Sequence, residues 1–159
     1  MSSEAVAVRV AALLIARRET VAVAESSAGG LIAARLLAVP GASAYFLGGG
    51  VVYTGAARAG LLGITAEEMA GMRPSTEAYA RFLAGRVRER LGADWGLAES
   101  GATGPSGNRY GDAAGHACFA ACGAGMLART LETGSTDRAA NMEDFAEGAL
   151  RVLEEALRG

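Results

Sequence analysis

The residues with the most chemistry to offer form the stretch Glu25-Ser26-Ser27-Ala28-Gly29-Gly30, which follows the apolar run 21–24. The apolar run predicts a buried strand, and the leucine- and alanine-rich segment after the glycines predicts a helix. A serine at such a turn is held at the end of a sheet. The amides of residues 28–30 would lie at the helix N-terminus, where free N–H groups favour negative charge. The stretch therefore predicts a phosphate site or an oxyanion hole, or else a plain capped helix start.

A second candidate site is the loop 101–108, which reads GATGPSGN. It is rich in turn-forming residues and follows the predicted strand 95–100. Open α/β sheets bind ligands at the ends of their strands, so we expect this loop to face a ligand. The alternative is a long surface connection.

The elements that must position these residues alternate along the chain. Helices are predicted over 3–18, 31–38, 56–62 and 75–91, and from 136 or 141 to 158. Strands are predicted over 21–24, 45–53, 95–100, 115–122 and 126–132, the last two forming a hairpin. This order predicts one domain over 1–159, a three-layer α/β/α sandwich with a mixed sheet.

Charge and composition exclude several classes of function. All 15 basic residues are arginines, so no mechanism in this chain can use a lysine base. The net charge of −2 argues against a protein built mainly to bind nucleic acid. No apolar run is long enough to span a membrane, and Cys118 and Cys122 form neither a CxxC nor a zinc pattern. We therefore expect a cytoplasmic protein with two small buried cysteines and no metal.

Four segments, in order, resemble the C-terminal domain of the CinA family, also described as nicotinamide-nucleotide amidases. Segment 24–30, AESSAGG, is similar to the family's AESCTGG, and segment 39–49, VPGASAYFLGG, to its VPGSSAxFxGG. Segment 51–64, VVYTGAARAGLLGI, resembles VxYSNxAKxxLLGV, and segment 100–107, SGATGPSG, resembles TGIAGPxGG. A later GDR motif is weakly matched by Thr136-Asp137-Arg138. The resemblance covers most of the chain from residue 20 onward.

The resemblance implies hydrolysis of the carboxamide of nicotinamide mononucleotide to the acid and ammonia, with no organic cofactor and with a homo-oligomer, plausibly a dimer. Carried over by position, it implies catalytic roles for Ser26, Tyr53 and Arg58. It also implies substrate-binding roles, for residues Ser27, Gly29, Gly30, Gly101, Thr103, Gly104 and Arg138.

The chain departs from the family pattern at polar positions of the implied site. Arg58 stands where the family has lysine, and arginine stays protonated and cannot serve as a base. Ala28, Gly55 and Glu99 stand where the family has a threonine, an asparagine and an apolar residue. Two functions therefore remain open: an amidase with an altered site, or a non-catalytic relative that binds a nucleotide, an anion or a protein.

A third hypothesis is a replacement triad of Ser26, His116 and Glu99, because a lone histidine and an out-of-pattern glutamate lie at the edges of motifs. The alternative is that His116 is an ordinary strand residue and Glu99 an ordinary solvated one.

Overall fold

The computed structural model describes residues 3–159, in which a five-stranded sheet lies between two layers of helices. The strands are β1 (Val21–Glu25), β2 (Phe46–Val51), β3 (Trp95–Ala102), β4 (His116–Cys122) and β5 (Met126–Glu132). The helices are α1 (Ser3–Arg17), α2 (Leu31–Leu37), α3 (Gly55–Leu62), α4 (Glu77–Leu91) and α5 (Arg138–Arg158), with a 3₁₀ turn at Ala42–Ala44.

The sheet has the order β2-β1-β3-β4-β5 and is mixed. Strand β1 pairs in parallel with β2 and with β3, whereas β4 is antiparallel to both β3 and β5. The predicted mixed sheet and the predicted hairpin are therefore confirmed. Because β1 and β3 are parallel, their carboxyl ends, and the turns that follow them, meet at one edge of the sheet.

Strand β3 extends two residues beyond its predicted end, so Gly101 and Ala102 belong to the sheet rather than to the loop. They continue the ladder with β4, where Gly101 lies opposite Ala117 and Ala102 opposite His116. A Cβ at position 101 would lie 2.5 Å from the carbonyl oxygen of His116. A glycine is therefore required where the two strands approach so closely.

Side chains alternate between the two faces of the sheet, which fixes the layers. Along β1, Val21 and Val23 face the core formed with α1, α2 and α5, while Ala22 and Ala24 face the core formed with α3 and α4. The predicted three-layer sandwich is thereby confirmed. None of the helices within residues 3–159 is long and apolar enough to cross a bilayer.

Three helices near the sheet's edge begin at a side-chain cap. Thr54, Thr76 and Asp137 each accept a hydrogen bond of 3.1 Å from the amide three residues ahead, which satisfies a donor that the helix leaves unpaired. These caps fix where α3, α4 and α5 start. Helix α5 consequently begins at Arg138, between the two predicted starting points.

Candidate functional site

A cavity of about 440 Å³ opens at the edge where β1, β2 and β3 end. We call it the Ser26 chamber. Ser26, Tyr53 and Arg58, which the sequence places in three separate segments, all line it. The structure thus brings the three predicted catalytic residues together, and their chemical roles stay predictions. The Ser26 hydroxyl has no hydrogen-bond partner in the described part of the chain, so it is available to a ligand.

A second cavity of about 220 Å³, the loop chamber, lies beside the first. Its walls are Ser27, Tyr53, Arg138 and most of the segment 101–108. Tyr53, together with Gly101 and Asn108 from that segment, borders both chambers, which makes them one continuous cleft. The segment therefore lines a cavity, and its contact with a ligand stays a prediction.

Three arginines line the cleft. Arg58 lies over the ring of Tyr79, with 5.7 Å from its Cζ to the ring centroid, and Arg109 lies over the ring of Tyr110 at 5.1 Å. Arg138 donates to the carbonyl oxygen of Gly104 at 2.5 Å and to the Tyr53 hydroxyl at 3.2 Å. These three arginines form no ion pair with a carboxylate of residues 5–159. The described residues that line the two chambers carry positive charge and include no carboxylate.

The turn that presents Ser26 is held from below by Glu99, a buried residue of β3. One carboxylate oxygen of Glu99 accepts from the amides of Ser26 and Ala28, each at 2.9 Å. The other oxygen accepts from the Ser27 hydroxyl. The expectation that Glu99 is solvated is wrong, because its exposed fraction is 0%.

The amides at the start of α2 are satisfied in the same way by Glu25. Its carboxylate accepts from the amides of Ile32 and Ala33 at 3.0 Å and also interacts with that of Gly30. The Gly29 amide donates to the carbonyl oxygen of Ser26 at 3.1 Å. Since the amides of residues 28–30 already have partners within the chain, the predicted oxyanion hole or phosphate site at these amides is wrong.

The pKa of each of these two buried carboxyls is shifted from its ordinary value. Burial raises the pKa of Glu25 and of Glu99, and the amides and hydroxyl that donate to them act in the opposite direction. The negative charge of Glu25 raises the pKa of Glu99 further. The effect of desolvation dominates in each case because neither side chain reaches water.

The start of helix α3 faces the cleft. Thr54 and Gly55, at its N-terminus, line the Ser26 chamber, and Arg58 lies in its first turn. The first amides of a helix lack partners within the helix, and its dipole adds positive potential there. Arg58 and the start of α3 together therefore favour negative charge opposite Ser26.

His116 does not join Ser26, so the predicted triad is wrong. Its Nδ1 lies 2.5 Å from a Glu132 carboxylate oxygen, and its Nε2 lies 2.8 Å from the carbonyl oxygen of Ser75. Burial alone lowers the pKa of His116, but the bonds to Glu132 and Ser75 and the nearby carboxylate charges outweigh it, so the pKa is raised. Both ring nitrogens are engaged elsewhere.

The family described as CinA C-terminal domain matches residues 3–157. This chain belongs to that family. CinA-like proteins of Desulfosudis oleivorans and of Anaeromyxobacter sp. (strain K) are 38% and 39% identical to it, over 91% and 94% of this chain. The matches cover only 35% and 36% of those relatives, so the chain spans about a third of their length. A CinA-like protein of Gloeobacter violaceus is 45% identical over 61% of this chain and 23% of its own length.

Solved structures agree with the fold of this CinA-family domain. A competence-damaged protein (CinA) superfamily protein from Klebsiella pneumoniae 700603 superposes with a TM-score of 0.91 at 30% identity, covering 99% of both chains. A competence/damage-inducible protein from Agrobacterium tumefaciens gives 0.89 at 27% identity, covering 99% of this chain and 96% of its own.

Some of the remaining predicted binding residues of the CinA-family domain line the cleft, and others lie in the turn at 25–30. Thr103 and Gly104 line the loop chamber with Ser27, whereas Gly29 and Gly30 line neither chamber. Residues 103 and 104 are held in place by α5: the Asn141 side-chain amide donates to the carbonyl oxygen of Thr103 at 2.9 Å. Ser27 is 5% exposed and its hydroxyl donates to Glu99, so it supports the turn, and its role in binding a substrate stays a prediction.

Sequence reasoning missed several residues of the cleft. Tyr79, Arg109 and Tyr110 line the Ser26 chamber beside Ser75 and Ser100. The adjacent Arg109-Tyr110 pair, a basic and an aromatic residue just after a turn-rich segment, was the signal available. Among residues 5–159, no three histidine, cysteine, aspartate or glutamate side chains are grouped as metal ligands.

Proposed function

We propose that this domain hydrolyses the carboxamide of nicotinamide mononucleotide or of a similar pyridine nucleotide. One observation carries the proposal: a serine hydroxyl without a hydrogen-bond partner and three arginines without a carboxylate partner, as judged over the described residues, share one cleft. An unbalanced positive cleft favours an anionic ligand, and Ser26 supplies a group that can attack an acyl carbon.

The cleft offers a place for each part of such a nucleotide. Its two chambers, about 440 and 220 Å³, fall together in the range of about 300–1,000 Å³ that small-ligand sites usually have. In the proposed pose, the phosphate lies in the loop chamber near Arg138. The aromatic ring lies in the Ser26 chamber, where the exposed ring of Tyr53 offers a stacking surface.

The proposed reaction has two steps. The Ser26 hydroxyl oxygen attacks the carboxamide carbon, and its proton passes, directly or through water, to the nitrogen as the C–N bond breaks and ammonia leaves. Water then cleaves the resulting ester, which releases the carboxylic acid and restores Ser26. Arg58 and the start of α3 stabilise the oxyanion of both steps.

A second candidate function is a domain that binds the nucleotide without cleaving it. The observation that favours it is the absence of a base: among the described residues lining the Ser26 chamber, the ionisable side chains are arginines and tyrosines. Burial raises the pKa of Tyr79 although the Arg58 charge opposes this effect, so Tyr79 is a neutral phenol. Serine attack without a positioned base loses the factor of about 10²–10⁴ that such a group contributes.

Ammonia release from nicotinamide mononucleotide by the purified protein separates the two functions. We expect slow turnover that falls at least about 100-fold in Ser26→Ala and is unchanged in Ser43→Ala, an exposed serine outside the cleft. Absence of turnover in the wild type, with turnover appearing in Arg58→Lys, would contradict the amidase and support a binding domain.

The other expectations drawn from the sequence stay predictions. They are a homo-oligomer, a cytoplasmic location, and a function that needs neither nucleic acid, membrane, metal nor organic cofactor.

A further inference from the structure

The Ser26 chamber is lined by positively charged groups that the binding of a neutral carboxamide does not require. We infer that it binds the carboxylate form of its heteroaromatic ligand more tightly than the carboxamide form. This inference rests on the proposed function for the identity of the ligand, because the carboxylate is the product of the proposed reaction. It goes beyond that function in assigning the preferred ligand of the chamber.

The first contribution comes from Arg58. Its side chain is half-buried and lies over the ring of Tyr79. An arginine guanidinium keeps its positive charge, and this one lines the same chamber as Ser26. A lysine could lose its proton to a reacting group, but Arg58 keeps its charge whichever form of the ligand is bound.

Arg109 and the start of α3 add further positive charge to the Ser26 chamber. Arg109 lies over Tyr110 and donates to its hydroxyl at 3.0 Å, so its guanidinium is held at the wall of the chamber. The N-terminus of α3, at Thr54 and Gly55, opens into the same space and adds the positive end of the helix dipole. The described residues that line the chamber include no carboxylate.

The two ligand forms differ at the atoms that would lie beside Ser26. The carboxamide is neutral, and the pyridinium ring that bears it is positive, so this end of the substrate is repelled by the two arginines. Hydrolysis replaces the neutral group with a carboxylate, which adds one negative charge and can accept a bidentate pair of hydrogen bonds from a guanidinium. The chamber therefore favours the acid. During turnover, the acid product would leave the chamber slowly. Rapid net conversion of the amide would therefore need a following reaction that consumes the acid.

The test is a titration of two ligands, nicotinate mononucleotide and nicotinamide mononucleotide, into the Ser26→Ala protein, in which ammonia release is checked to be absent. Isothermal titration should give a Kd for the acid at least about tenfold below that for the amide. Replacing Arg58 by Met in this background should reduce the preference to about threefold or less, while Arg58→Lys, which retains the charge, should keep most of it.

Two further variants serve as comparison. Arg109→Met changes an exposed loop residue and should also reduce the preference, and Arg90→Met, on α4 and outside the cleft, should leave it unchanged. Equal or tighter binding of the amide, or a preference that survives both Arg58→Met and Arg109→Met, would overturn the inference. Ammonia release by the wild type is measured separately: turnover without acid preference rejects the inference alone, and acid preference without turnover rejects the proposed amidase alone.

Discussion

The turn at 25–30 has acidic residues on its protein side and arginines on its cleft side, and these two sets of side chains have different kinds of bonding partners. On the protein side, Glu25 and Glu99 are buried and bind backbone amides and a hydroxyl, with no arginine of the described chain among their partners. On the cleft side, three arginines contact tyrosines and a carbonyl oxygen, and no carboxylate of residues 5–159 is among their partners. The fold satisfies its two buried acids with amide and hydroxyl donors, whereas the arginines of the cleft have no carboxylate partner in the described part of the chain.

Arginines elsewhere in the molecule show that this separation is particular to the cleft. Arg129 pairs with Glu155 at 2.8 Å and Arg9 with Glu154 at 2.5 Å. A side chain of the same type finds a carboxylate at those surfaces, so the lack of carboxylates among the described residues that line the two chambers is a feature of the site rather than of arginine in this chain.

The strongest test of this comparison is the removal of the Glu99 carboxylate. Glu99→Ala leaves the Ser26 and Ala28 amides and the Ser27 hydroxyl without their acceptor and should lower the free energy of unfolding by about 2–4 kcal/mol. Glu99→Gln should lower the free energy of unfolding by less than half of that amount, because the glutamine side-chain amide can accept from the same N–H groups and donate to Ser27. Denaturant unfolding, with the exposed Glu89→Ala as control, measures both. Equal losses in Ala and Gln would contradict the role of the hydrogen bonds.

The cleft side should respond through binding rather than stability. Arg138→Ala removes a cation from the loop chamber and should weaken the binding of inorganic phosphate about tenfold. The free energy of unfolding should change by less than about 0.5–1 kcal/mol, because no ion pair is lost. Arg90→Ala, which lies outside the cleft, is the matched control for the phosphate titration. A large loss of stability with unchanged phosphate affinity would reverse our interpretation of this arginine.

The buried acids should leave a signature in the pH dependence of stability. Because the pKa of Glu99 is raised in the folded state, that state binds more protons than the unfolded chain, and stability falls as pH rises from the ordinary glutamate value through the raised one. The Gln variant does not titrate at this position. The stability of the wild type relative to Glu99→Gln should therefore be greatest at acidic pH and decrease as pH rises, as measured by urea unfolding between pH 4 and 8. A difference that grows with pH would show that the hydrogen bonds dominate over burial.

The smallest effect is expected for a paired arginine. Arg73 and Asp112 form an ion pair whose arginine side chain is 42% exposed. Arg73→Gln should cost about 1 kcal/mol or less, and the cost should shrink in 0.5 M salt. A larger loss, insensitive to salt, would mean that Arg73 stabilises the adjacent loop through its contact with Tyr110 instead.

The sequence predicts the architecture well because the elements are marked by local signals. The apolar run 21–24 and the glycines after it place β1 and the turn, and the capping threonines place α3 and α4. The extra length of β3 was not predictable, since it depends on pairing with β4. Local pattern decides the type of an element, and tertiary pairing decides where it ends.

The site was predicted less well, for a physical reason. The spacing of the motifs was enough to bring Ser26 and Arg58 to one cleft. A glutamate in a sequence suggests a solvated residue, and what makes Glu99 buried is a set of amides up to 73 residues away in the chain. Contacts of the same kind occupy the amides of the turn, which the local sequence pattern had assigned to a ligand. Predicting an anion site at a helix start therefore requires knowing which acceptors already lie there.

Tyr53 has a consequence for the length of ligand that the protein can accept. Its side chain is 56% exposed and borders both chambers. In the proposed pose, a bare ring or a lone phosphate would occupy one chamber, and only a molecule with a sugar-length spacer would contact both. Preference for a nucleotide over its fragments would then follow from the length of the ligand.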